Sequence, residues 1–321
     1  ERLSCKQILE LCHPELWALS GEPEEGWISF TYKFSTHILY PDPEFSEKAA
    51  SYARGAYVYL NVLQFFFDEE RKAVPFDPFN DFALLGEEEY QSCDRAGEYG
   101  RFVREFRDQY IYEMMRLNRE ATPFETLSHI AGVHHVAMTV ARGLKKAGVP
   151  IDLALSSGAA AGHDLGKFGC KPNERVPYLH YYYTNQWFMA YKMEGIGHIA
   201  ANHSTWDLEL DNITVESLVL IYADFRVKQM RDESGKEITK IYSLKDSYDV
   251  IWTMWTRPRG TVTGPFIPGF MNLSGICALW GPIRSCPEIR RSRKNVRISP
   301  SRTAARSSHP FYILPLSITS T

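Results

Sequence analysis

The sequence lacks any uninterrupted apolar run near the roughly 18 residues that a membrane helix requires. Its first residues, ERLSCKQILE, contain no basic stretch followed by an apolar segment, so a secretory leader is not indicated there. The chain starts at Glu rather than Met, which leaves room for upstream sequence. There is no CxxC pair: six cysteines stand scattered at positions 5, 12, 93, 170, 277 and 286. That spacing argues against a disulfide framework and for free thiols, and a cytoplasmic protein is expected. Also missing are GxxxxGKS/T, GxGxxG, GxSxG and HExxH. P-loop, dinucleotide-binding, nucleophile-elbow and zincin chemistry therefore have no sequence footing.

What is present is 321 residues, 44% of them hydrophobic, enough for a sizeable core in one large domain or two ordinary ones. The net charge of −3 is unevenly spread. Residues 252–321 hold ten Lys or Arg against Glu288 alone, a balance of +9 that leaves −12 for residues 1–251. A basic tail can signal nucleic-acid contact. This one, with eight prolines and runs such as RSRKNVRISPSRTAARSSHP, has no periodic apolar face. Its composition suits a disordered extension, or text translated out of its natural frame after about Val250, better than a packed domain or a nucleic-acid module.

Up to residue 250 the spacing is helical and strand alternation is scarce. In 43–73, Tyr52, Ala56, Leu60 and Leu63 recur every three or four residues, and 86–121 reads as another long helix with an acidic start. Thr122, Pro123 and Glu125 form a capping box, which predicts a helix from residue 123 to Gly148. Further helices are expected at about 151–162, 179–194, 196–202 and 215–230. The expected fold class is all-α: an N-terminal helical region over 1–115, a second helical domain over 116–250, and the tail 251–321.

The second of those helices ends in GHDLGK, residues 162–167. His163 and Asp164 leave a helix end in different directions, yet one cation can take both if the backbone turns, and flanking glycines permit a turn. An imidazole with a carboxylate suits Mn, Fe, Ni, Mg or Zn without choosing among them. Upstream, His129 shares its face with Val133, Val136, Ala137, Val140 and Leu144. At roughly 100° per residue, His134 lies about 140° to one side and His135 about 120° to the other. His129 is therefore the inward-facing histidine.

These residues carry a resemblance to the HD superfamily of metal-dependent phosphohydrolases. Residues 159–167, AAAGHDLGK, are similar to the family's A-x-L-x-H-D-I-G-K, and IYADFRVK to its I-x-x-A-D, over about residues 122–232. His129 with Val133 matches its H-x-x-x-V, although the span to Gly148 is longer than the family's by about a turn, which keeps His134 and His135 as alternatives. Leu179-His180 and Asn202-His203-Ser204-Thr205 look like the two extra ligand segments of the branch that includes bacterial symmetrical diadenosine-tetraphosphate hydrolases. No GYP motif follows, as the cyclic-dinucleotide branch would have.

The resemblance implies an HD helical bundle with one or two divalent ions on His129, His163, Asp164, His180, His203 and Asp224. Asp164 would bridge the ions or orient a water made acidic by them, and Lys167 would reach the substrate phosphate. The implied activity is hydrolysis of a small phosphorylated molecule, monoester or diester, nucleotides included. The other class of reading is a regulatory or scaffold protein that binds metal or nucleotide without turnover. Arg226 and Lys228 either add positive charge beside Asp224 or complement a helix end. The aromatic run 178–188 reads as core beside a ligand, His198 as packed or solvated, His13 and His309 as surface, and His37 has no partner legible from spacing.

Overall fold

A computed structural model of the chain describes residues 2–171, 173–203, 213–231, 233 and 237–247. The expectations for the tail 251–321, for Ser204 and Thr205 and for His309 lie outside the described residues. Those that are described belong to one compact unit. They form helices α1 (Cys5–Ser20), α2 (Gly26–Leu39), α3 (Ser46–Ala73), α4 (Glu87–Tyr90), α5 (Ala96–Asp108) and α6 (Ile111–Ala121). There follow α7 (Leu127–Lys146), α8 (Leu153–Gly162), a 3₁₀ turn (Leu165–Gly169), α9 (Val176–Ala190), α10 (Glu194–Ala201) and α11 (Val215–Arg226). A two-stranded hairpin, β1 (Val227–Arg231) and β2 (Glu237–Ile241), closes the series. The class is all-α with that one hairpin. Among the described residues no helix is long and apolar enough to cross a membrane, and Cys5, Cys12, Cys93 and Cys170 are free thiols.

Helix α8 is the axis of the part that matters for function. Its text, LALSSGAAAG, is buried nearly all round, and α7, α10, α11 and α5 pack against it. Small residues allow this: a Cβ at Gly158 would meet Ile196 at 2.8 Å, and one at Gly162 would meet the Phe188 ring at 2.6 Å. Asp152 starts the helix, its carboxylate accepting from the backbone N–H of Ala154 and Leu155 at 2.7 and 3.1 Å. Aromatic rings fill the surroundings, with Phe102 stacked on Phe188 at 6.2 Å and Trp187 donating to Gln109 at 3.0 Å. Trp187 and Phe188 thus serve as core, while Tyr182 from the same run is exposed. Helix α6 runs through position 115/116, where a domain boundary was expected, and α5 packs on α8 and α10.

Several boundaries differ from the sequence reading, each for a local reason. The stretch 86–121 is broken into α4, α5 and α6, the last break made by Tyr110 at φ 55. Helix α7 starts at Leu127, not 123. Thr122 instead ends α6, and its hydroxyl donates to the Phe124 carbonyl at 2.6 Å. Glu125 still satisfies a first-turn donor, accepting from Ser128 N–H at 2.7 Å, but from outside the helix. Gly148, at φ 85, ends α7 as the sequence predicts. Helix α11 stops at Arg226 instead of 230. Beyond it the backbone pairs antiparallel with β2, Val227 opposite Ile241 and Lys228 opposite Lys240. Buried Val227 packs against Gly132 of α7, where a Cβ would come within 2.9 Å of it.

Candidate metal centre

Five elements bring six side chains to one point. His129 comes from the first turn of α7, His163 and Asp164 from the end of α8, His180 from α9, His203 from just after α10, and Asp224 from the last turn of α11. All six are buried. His129 Nε2 lies 3.1 Å from Asp224 Oδ1, 3.4 Å from Asp164 Oδ2 and 3.4 Å from His163 Nε2. On the other carboxylate oxygen, Asp164 Oδ1 faces His180 Nε2 at 3.5 Å and His203 Nε2 at 3.8 Å. Two sets of three residues each offer ligand atoms within 4.8 Å of one another: His129, His163 and Asp224, and His163, Asp164 and His203. His163 is common to both sets, while Asp164 turns Oδ2 to His129 and His163 and Oδ1 to His180 and His203.

The protonation state follows from the outer hydrogen bonds. His163, His180 and His203 each direct Nδ1 at a backbone carbonyl, of Ala160, Val176 and Ala200, at 2.9, 2.7 and 2.6 Å. A carbonyl only accepts, so Nδ1 carries the proton and the neutral ring turns the Nε2 lone pair inward. Burial holds His163 and His203 down to about 4, and lowers His180, so these rings are neutral at pH 7. Burial would by itself raise the two carboxyl groups. For Asp164 the Lys167 ammonium and the histidines outweigh it, and for Asp224 Lys228 and His129 do, so both sit well below the usual carboxylate range.

The result is a buried cluster of lone pairs and carboxylate oxygens facing one another with too few protons between them. Asp164 Oδ1 is buried and accepts no hydrogen bond at all. Such an orphaned anionic oxygen is costly, and a cation at this point would satisfy it. The outward N–H groups held by carbonyls are the usual support of a metal-binding imidazole. The donor set, nitrogen and carboxylate oxygen, fits a divalent ion of the Mn, Fe, Ni, Mg or Zn group.

The glycines of GHDLGK act by closeness, not by special dihedrals. Neither is at positive φ, and the turn itself is made by His163 (φ −58) and Asp164 (φ −107). Gly166 is pressed against α9: a Cβ there would lie 1.8 Å from the His180 carbonyl oxygen. Thr184, one turn beyond His180 and invisible to motif reasoning, closes the clamp. Its hydroxyl accepts from Gly166 N–H at 3.0 Å and donates to the His163 carbonyl at 3.1 Å. Sequence offered only one clue to it, a hydroxyl four residues after a ligand histidine on the same helix face.

His134 does not join the cluster, and neither is it off the core as its helical angle implied. It is fully buried because α7 is covered on a second side, where it meets Phe82 and its Nε2 lies 3.0 Å from Ser157 Oγ. Burial pushes it down to about 3. His135 is half-buried against Phe76, His198 is exposed, and His13 pairs with Glu22 at 2.8 Å. His37 Nδ1 accepts from Asp42 N–H at 2.9 Å beside a trench of about 1020 Å³ on the far side of α9, walled by Tyr40, Phe45, Phe168 and Tyr183.

Lys167 is not free. Its ammonium pairs with Asp164 Oδ2, which raises its pKa although burial alone would lower it. Lys228 extends from β1 to Asp224 Oδ2 at 3.6 Å, whereas Arg226 turns away to the Tyr242 carbonyl and the Tyr222 hydroxyl. The chain matches no family model, no curated protein and no solved structure.

Proposed function

We propose that the protein is a metal-dependent phosphohydrolase of the HD type, acting on the phosphate ester of a small molecule, nucleotides among the candidates. One observation carries the reading. Histidines and aspartates from 129 to 224, on five separate elements, present their Nε2 and carboxylate atoms to a single buried point, with Asp164 offering one oxygen to His129 and the other to His180 and His203. His129, His163, Asp164 and Asp224 would hold one ion, and His180, His203 and Asp164 a second. Bound there, divalent cations supply Lewis acidity to a phosphoryl oxygen and acidify water near neutral pH.

The chain's own residues do the rest. The carbonyls of Ala160, Val176 and Ala200 hold each imidazole in the tautomer that leaves Nε2 unprotonated. Lys167 keeps Asp164 ionised and brings an ammonium to the developing charge. In the reaction the P–O bond to the leaving alcohol breaks, a water oxygen replaces it on phosphorus, and the proton given up by water ends on the leaving oxygen.

The test is metal content of the purified full chain, followed by phosphate release from bis(p-nitrophenyl) phosphate, p-nitrophenyl phosphate and a nucleotide panel with Mn²⁺. Release that disappears in Asp164→Ala and His129→Ala, and survives in His134→Ala, supports the reading. Bound metal without turnover on any substrate would favour a regulatory or scaffold protein instead.

A further inference from the structure

Exposure around the cluster is graded from its histidines to two lysines. The His163, His180, His203 and Asp164 side chains are 0–6% exposed, His129 and Asp224 are 11% and 12%, and Lys167 and Lys228 reach 33% and 28%. The histidines and Asp164 are therefore the deepest groups, and the two lysines are the most solvated. They come from different elements, the 3₁₀ turn and β1, and each is paired with a different carboxylate of the cluster. Arg226, the nearest other cation in sequence, is committed elsewhere.

The strand pair adds an independent observation. Lys228 stands directly across from Lys240, whose ammonium lies over the Tyr242 ring at 5.3 Å. Like charges directly opposite on two strands are unfavourable. Lys228, beside Asp224 and facing a second lysine across the strands, is suited to an anion arriving from outside.

We infer that Lys228 is a second phosphate-binding cation, and that with Lys167 it sets the substrate class: a terminal phosphomonoester rather than a diester. This rests on the metal-centre reading above. Once the Asp164 and Asp224 oxygens serve cations, both partly solvated ammonium groups are released beside the cluster and can take a new anion. A monoester near neutral pH carries close to two charges and three unesterified oxygens, whereas a diester carries one charge and two such oxygens. Two lysines beside the metal-binding carboxylates match the first group and over-supply the second.

The experiment uses the manganese-loaded full chain and its Lys228→Ala, Lys228→Gln and Lys228→Arg variants. Orthophosphate binding is read by calorimetry and by its effect on the Mn²⁺ paramagnetic resonance spectrum, and kcat/KM is read on p-nitrophenyl phosphate and bis(p-nitrophenyl) phosphate. Removing one charged contact should weaken orthophosphate about tenfold in the Ala and Gln variants. The monoester-to-diester ratio of kcat/KM should fall by a similar factor, with manganese per chain and Tm held and Arg restoring most of the loss. Unchanged orthophosphate affinity would overturn the assignment. So would a loss of manganese with affinity per loaded chain intact, because Lys228 would then only support Asp224. A wild-type chain that takes up no manganese would instead remove the metal-centre reading on which the assignment rests.

Discussion

Replacing Gly166 with alanine adds one carbon where α9 touches the turn after Asp164. That carbon would sit 1.8 Å from the His180 carbonyl oxygen, 2.5 Å from Thr184 N and 2.7 Å from Thr184 Oγ1. Carbon and oxygen approach no closer than about 3.3 Å in ordinary contact, so α9 and the turn must part by about 1.5 Å. The obstacle is helix backbone, which cannot swing aside as a side chain does. Overpacking of this kind costs about 1–3 kcal/mol. Leaving the Gly166 N–H without its Thr184 acceptor adds about 1–3 kcal/mol. The expected loss is about 2–6 kcal/mol, a large share of the total of about 5–15 kcal/mol that holds a domain folded. His180 would leave its 3.5 Å approach to Asp164 as α9 retreats, so metal uptake should fall with stability. Gly143→Ala is the control: that residue is exposed within α7 with nothing within 4 Å of an added Cβ. It should gain about 0.5–1 kcal/mol from helix propensity. Urea denaturation and metal analysis read both variants. Gly166→Ala with wild-type stability and metal content would show that the turn and α9 are not in the contact described.

Two further outcomes follow from the same geometry. Thr184→Val keeps the shape of the clamp but removes its hydroxyl, and should cost about 1–3 kcal/mol in urea midpoint analysis because a buried N–H loses its acceptor, with Thr184→Ser close to wild type. His134 is neutral in the fold at about 3 against an ordinary 6.5, so the unfolded chain binds the extra proton below 6.5. Its contribution is present above that pH and lost as pH falls toward 3. Tm should therefore decline between pH 7 and 5, and less steeply in His134→Leu; equal slopes would refute the account.

The helical class was legible because apolar spacing near 3.6 residues runs through most of 1–226, and side-chain burial in a bundle depends on that spacing. The six clustered side chains were legible as candidates because each sits in a short local pattern. His129 illustrates the gain from helix phase: its face looks inward whichever residue starts the helix. Phase failed for His134, because a helical wheel assumes one covered face and α7 has two. It could not see the breaks in 86–121, since Tyr110 adopts its left-handed conformation without a glycine to announce it. The switch from α11 to β1 depends on pairing with β2. Thr184 matters through its contacts with Gly166 and His163, 18 and 21 residues away, which no local pattern records; Lys228, four residues after Asp224, was legible beside it.

The tight fit around α8 bears on how this centre could be diversified or redesigned. Gly158 and Gly162 leave no volume for a larger residue without pushing Ile196 or Phe188, so that helix is closed to variation in size. On the 3₁₀ turn beyond Asp164 and the first strand of the hairpin, Lys167 and Lys228 are partly solvated, each still paired with a buried carboxylate. Variation around the cluster has room at these two positions and their exposed neighbours, with α8 held constant.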